Sequence, residues 1–207
     1  MFYRDIIITK NEFLAIILAS LITGFSFSFN DWGYETFSFE IGIVNLQKAI
    51  IVSFIAFTLL VLVAKFFSNF YGVGLTIELN VLATILGFLF TYIIYGVIPI
   101  PAFLNFNFYH DPKLRFGQRR PLPNFTDYEK TSKYSSYIIF FLLILMFLFI
   151  KQKYILKFTI GYFFYILPIP KVPGFYVFIN GKDNIKKFLS TYIYFVLFAI
   201  ILYFISS

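Results

Sequence analysis

No cysteine occurs among the 207 residues. Disulfides and thiolate metal sites are therefore excluded. Histidine is almost as scarce, since His110 is the only one. Charge is scarce too: charged residues make up 13% of the chain, where a soluble globular domain carries about 25%. With 60% hydrophobic residues, such a chain cannot cover a water-facing surface with polar groups, so its solvent has to be lipid. There is no Gly-rich phosphate loop, no internal repeat and no heptad array. The basic residues are not interleaved for nucleic-acid reading, which removes that class of partner.

What is present is a series of uncharged runs, at 13–29, 49–64, 79–110, 134–150, 158–170 and 188–207. A hydrocarbon core of about 30 Å needs roughly 17–25 helical residues to cross it. Four runs meet or nearly meet that length. The run at 158–170 is short and has to borrow 154–156, burying or snorkelling Lys157. The run at 79–110 is too long for one span and contains Gly87, Gly96, Pro99 and Pro101. The first run is long enough to span and shows no small-residue cleavage site, so it reads as a membrane helix rather than a secretory signal. The expectation is an all-α, polytopic transmembrane bundle of five or six spans, forming one integral membrane domain over 1–207.

The charges sit between the runs. Lys113, Arg115, Arg119, Arg120, Lys130 and Lys133 lie in segment 105–133, and Lys171, Lys182, Lys186 and Lys187 in 171–187. The positive-inside rule places both segments in the cytoplasm. If 79–99 dips in and returns as a re-entrant hairpin, the N-terminus joins them, and the division of charge is more lopsided than with six full spans. Arg115, Arg119 and Arg120 are candidate contacts to anionic lipid or a cytosolic partner. Plain solvated loops are the simpler account of them.

Two stretches carry a resemblance. The first is Leu60-Val-Leu-Val-Ala-Lys-Phe-Phe-Ser-Asn-Phe-Tyr-Gly72. The second is Phe164-Tyr-Ile-Leu-Pro-Ile-Pro-Lys-Val-Pro-Gly-Phe-Tyr-Val-Phe178. The first resembles the zinc helix of site-2-protease-type intramembrane metalloproteases, HExxH-K-x-x-A-x-x-Y-G, with Lys65, Tyr71 and Gly72 in frame. The second is similar to that family's F-N-L-L-P-I-P-P-L-D-G-x-x-V-F, matching at Leu167, Pro168, Ile169, Pro170, Gly174, Val177 and Phe178. Lesser echoes lie at Glu12-Phe-Leu-Ala, at Gly96-Val-Ile-Pro-Ile-Pro-Ala102 and at Asn180-Gly-Lys182, as in the archaeal short form. The family's Gly-Pro-x-x-Asn element is absent before 134–150.

The resemblance implies a zinc site from two histidines and a later aspartate, with a glutamate as general base. Here those positions hold Leu60, Val61, Ala64 and Pro173, none of which offers a donor atom. No zinc or other cofactor is expected. His110 with the adjacent Asp111 cannot make a three-ligand site alone. It reads as a solvated residue, and Asp5, Asp31, Asp111, Asp127 and Asp183 lie in or near loops, against an intramembrane aspartyl dyad. The resemblance also implies a strand-like stretch after Gly72, and Val73–Asn80 alternates in that manner, as an edge strand or an ordinary loop. Pro168 and Pro170 break any helix entering from 158, and broken backbone at membrane depth has to face protein or a wet cavity.

The expected function is that of a non-catalytic pseudoprotease that binds or holds a transmembrane segment between helices 49–71 and 158–170. Pro168, Pro170, Gly174 and Gly72 would be its contacts. A structural subunit of a larger membrane complex is the alternative, and an active intramembrane metallopeptidase a further one. The expected partners are the lipid bilayer and a transmembrane segment or membrane complex.

Overall fold

The computed structural model describes residues 8–33, 36–109, 125–167, 169–174 and 176. The fold is mostly helical, in the order α1 (Lys10–Ser28), α2 (Phe39–Tyr71), β1 (Gly74–Leu79), α3 (Val81–Ile93), β2 (Leu104–Tyr109), α4 (Phe125–Ile150) and α5 (Lys153–Gly161), followed by a 3-10 turn (Tyr162–Ile166). Three helices, α1, α2 and α4, are long and apolar enough to cross a membrane. The runs at 79–110 and 158–170 are not single crossing helices. The last run, 188–207, lies outside the described residues, so five or six spans cannot be counted from these. The all-α expectation needs one amendment, a two-stranded antiparallel sheet.

Local chemistry explains the element ends. Thr9 and Glu12 form a reciprocal capping box that starts α1, satisfying two backbone N–H groups. At the end of α2, Gly72 takes the left-handed conformation and its N–H returns to the carbonyls of Ser68 and Asn69, the usual helix stop. Asn80 caps α3 by accepting from the Ala83 N–H at 3.0 Å. The α-helix of α5 stops at Gly161, where an added Cβ would lie 2.6 Å from the Pro99 carbonyl oxygen. The chain beyond tightens into the 3-10 turn before it reaches the prolines.

The helices run alternately between two ends of the molecule. At one end Glu12 of α1 meets Lys65 of α2, and Tyr71 of α2 stacks on Tyr134 of α4 with centroids 6.0 Å apart. At the other, Asn45 of α2 donates to the Asp31 carbonyl, and Lys153 and Lys157 of α5 pair with the Asp31 carboxylate. The stretch 74–109 leaves from the first end and comes back to it. It runs out through β1 and α3, turns at Tyr95 and Gly96 against Asn30, and returns through 97–103 into β2. The register pairs Gly74 with Tyr109 and Leu79 with Leu104, so its two ends are neighbours.

One continuous core runs through this arrangement, and it includes Phe57, Leu60, Val61 and Ala64 of α2 and Ile77 and Phe106 of the sheet. Ile139 and Phe140 of α4, and Phe158, Tyr162 and Tyr165, complete it. The outward faces are apolar as well. Phe13, Leu14, Leu18 and Leu21 of α1 and Leu82, Leu86, Leu89 and Phe90 of α3 are all exposed, as lipid as solvent allows.

Candidate functional site

Leu60, Val61 and Ala64 share the inner face of α2, and each is 0% exposed. A helix brings positions i and i+4 to one face, so Leu60 and Ala64 sit one above the other, as a pair of metal ligands would. Their own chain packs around them. Phe57, one turn earlier, meets the Phe158 ring edge-on at 5.1 Å. That contact joins α2 directly to α5 within the cleft expected between the 49–71 and 158–170 helices.

Pro173 is buried too, and so is Gly174 beside it. The segment that carries them docks on the outer edge of β2. The Phe106 N–H donates to the Lys171 carbonyl at 2.6 Å, and the Tyr176 hydroxyl donates to the Phe106 carbonyl at 2.6 Å. The Tyr176 ring packs against Phe108, which stacks on Tyr128 of α4. The described contacts thus tie the Pro173 segment to the sheet and α4. Pro170 and Leu167 are exposed beside it. At Gly72, an added Cβ would meet nothing within 4 Å. Pro168, Arg115, Arg119, Arg120 and His110 lie outside the described residues.

Other parts of the chain hydrogen-bond to both outer edges of the sheet. On the β1 side the Ile77 N–H donates to Glu12 Oε1 at 3.2 Å. On the β2 side the Leu104 N–H donates to the Tyr165 hydroxyl at 3.0 Å, and that hydroxyl donates on to the Ala102 carbonyl at 2.7 Å. The strand expected after Gly72 is therefore present as β1, but its free edge is taken up by α1 at Ile77.

Among the described residues, two polar nodes hold Glu12 and Asp31 with their lysine partners. Glu12 is 2% exposed and accepts from Lys65 Nζ at 2.6 Å, from the Thr9 N–H at 2.8 Å and from Ile77. It ties α1, α2 and β1 together. Asp31 accepts from Lys157 and Lys153, each at 3.1 Å, and from the Tyr154 hydroxyl at 2.9 Å. Burial pushes the Asp31 carboxyl up, but the Lys157 charge and the hydrogen bonds from Lys157, Lys153 and Tyr154 outweigh it. The result lies below the ordinary carboxylate value. Lys157 also donates to the Phe27 carbonyl at 2.5 Å. It snorkels along α5 to the end of the molecule.

Neither node stood out as a site in the sequence. The pattern Thr-x-x-Glu at 9–12, opening an apolar run, signalled the capping box. Nothing signalled that the same carboxylate would also bind Lys65 and Ile77, because those partners are distant in the chain. Among the described residues, no three His, Asp or Glu side chains converge as a metal site would require. The residues that the frame aligns are hydrocarbon and can pack but not ligate. No family model matches this chain, and neither a curated protein nor a solved structure is significantly similar to it.

Proposed function

We propose that this chain is a non-catalytic, multi-pass membrane protein on a site-2-protease-type frame, and that it holds a transmembrane segment of another protein. The observation that carries the non-catalytic part is the fate of the aligned positions. Leu60, Val61 and Ala64 are each fully withdrawn from solvent within the chain's own packing. A zinc site there would need polar ligands, and unpaired polar groups in such an interior are costly. With α2 and α5 in contact through Phe57 and Phe158, the held segment contacts the exposed stretch at Leu167 and Pro170.

The bilayer-facing topology follows the same reading. Stretch 74–109 is re-entrant, and the end with Glu12, Tyr71 and Tyr134 is cytoplasmic. The described flanks of both basic segments, Tyr109 and Tyr176, are at that end, and Lys48, Lys151, Lys153 and Lys157 are left for the other. Arg115, Arg119 and Arg120 remain candidates for anionic lipid. If Arg119→Gln with Arg120→Gln leaves partition onto anionic vesicles unchanged, they have no such role.

The direct packing of Phe57 on Phe158 favours a second reading, a structural subunit with no client seat. Photo-crosslinkers at Leu167 and Pro170, with Leu60 and Ala64 as buried controls, separate the two. A client transmembrane peptide captured at 167 and 170 supports holding. A partner of fixed stoichiometry, captured only elsewhere, supports the structural subunit. One tightly bound zinc per chain, whose removal by chelator abolishes peptide cleavage, would overturn both in favour of an active metallopeptidase.

A further inference from the structure

The two charged nodes are separated by a defined length of helix. Asn45, which donates to the Asp31 carbonyl at 2.7 Å, and Lys65, which pairs with Glu12, both lie on α2. The rise between them is about 30 Å at helical pitch. That is close to the hydrocarbon thickness of a bilayer, about 30 Å. The residues between them on α2 carry no charge except Lys48, one turn in from Asn45 and exposed, where its long stem can reach back to the boundary. Two sets of ion pairs therefore bracket an apolar slab of membrane thickness.

Helix α2 does not stop at that boundary. It starts at Phe39, about 9 Å further out than Asn45 at helical rise. This overhang and the loop before it form an apolar projection: Phe37 is 75% exposed, Phe39 62%, Ile41 53% and Val44 48%. The projection is built rather than loose. The Trp32 indole stacks on Phe37 at 5.8 Å with an interplanar angle of 3°, and it also contacts Phe39. Gly42 lets the ring lie on the helix, since an added Cβ would fall 2.0 Å from Trp32 Cε3. The Ser38 N–H donates to the Trp32 carbonyl at 2.7 Å.

We infer that the projection carrying Trp32, Phe37, Phe39, Ile41 and Val44 is an interfacial foot, seated in the headgroup–acyl boundary of the bilayer that the helices cross. Its distance from the apolar slab puts it past the hydrocarbon. Its exposed aromatic surface is unsuited to bulk water, and amphipathic rings partition to this layer. Lys153, whose ammonium pairs with Asp31 next to Trp32, and the exposed Lys48, about one turn along α2 from Val44, bring positive charge to this level alongside the exposed Glu40. The inference rests on the chain being an integral membrane protein, so its test begins there.

Trp32 is the only tryptophan in the chain, so the unmodified protein carries its own probe. The full chain is reconstituted into phosphatidylcholine–phosphatidylglycerol vesicles, and flotation after alkaline extraction is checked first. A chain that does not float takes both the membrane reading and the foot down with it. In a floating sample, Trp32 fluorescence is compared in lipids brominated near the carbonyl end of the acyl chain and near mid-chain. Stronger quenching by the shallow bromines, with weak quenching by aqueous iodide, is the expected result. Iodide quenching without bromolipid quenching would leave the foot in water, or under a soluble partner, and would overturn it. So would strongest quenching by the mid-chain bromines.

Discussion

Lys65 has its side chain 11% exposed and Glu12 2%, so neither can lose its partner cheaply. Removing one member of a buried ion pair costs about 3–5 kcal/mol, because the other is left charged and unpaired. Lys65→Ala is expected to lower unfolding stability in detergent micelles by that order, whereas Glu12→Gln with Lys65→Met recovers part of the loss. Asp31 gives a pH-dependent counterpart. Its carboxyl is held below the ordinary carboxylate value by Lys157, Lys153 and Tyr154, so the folded state binds its proton less readily than the unfolded state does. The stability it contributes is complete above that value and is lost as pH falls through the depressed one. The difference in thermal midpoint between the native chain and Asp31→Asn should therefore stay constant near neutrality and shrink in acid. Tyr162 points the other way. Its hydroxyl is buried, and the neighbouring Ser136 side chain does not meet it with full hydrogen-bond geometry. Tyr162→Phe removes an unsatisfied group whose burial costs about 1–3 kcal/mol, and the variant should melt no lower than the native chain. A lower midpoint would show that the hydroxyl has a partner after all.

Helices α1 and α2 are in close contact at Gly24, where an added Cβ would lie 2.4 Å from Ile50 Cγ1 and 3.0 Å from the Ile50 Cα. Backbone cannot move aside as a side-chain tip can. Gly24→Ala should therefore destabilise by about 1–3 kcal/mol, the usual cost of overpacking, measured by thermal unfolding in the same detergent. The sequence showed where α1, α2 and α4 would be, because uncharged runs of spanning length leave few alternatives. It misjudged where α2 begins. The helix expected over 49–71 is α2 over Phe39–Tyr71, with its stop at Gly72 as expected, since Lys48 limits what can sit in lipid but not what can be helical. Strand β1 was legible in the alternation of Leu75, Ile77 and Leu79 with Thr76 and Glu78. Strand β2 alternates as well, but it was hidden in the uninterrupted apolar run at 79–110. The aligned positions on α2 were legible as a set. Their enclosure by Phe57 and Phe158 was not, because it depends on two helices far apart in the chain.

Across the whole molecule, the long and basic connections leave from the end that holds Glu12 and Tyr134, and the short ones lie at the end that holds Asp31. The absence of native cysteine makes this arrangement easy to map. Single cysteines at Lys10 and Lys130 are expected to react with an impermeant maleimide from the same side of sealed vesicles, and one at Lys153 from the opposite side. Labelling of Lys10 and Lys130 from different sides would mean that the chain crosses between them an odd number of times, against the antiparallel packing of α1, α2 and α4. The pairing of Gly74 with Tyr109 bears on how such a molecule is inserted. A stretch that begins and ends as strand neighbours is a closed detour between α2 and α4. The machinery that places the chain in the bilayer need not carry any terminus or charged loop across on its behalf. If α1, α2 and α4 cross a bilayer, only the turn around Tyr95 and Gly96, itself uncharged, has to reach the far side.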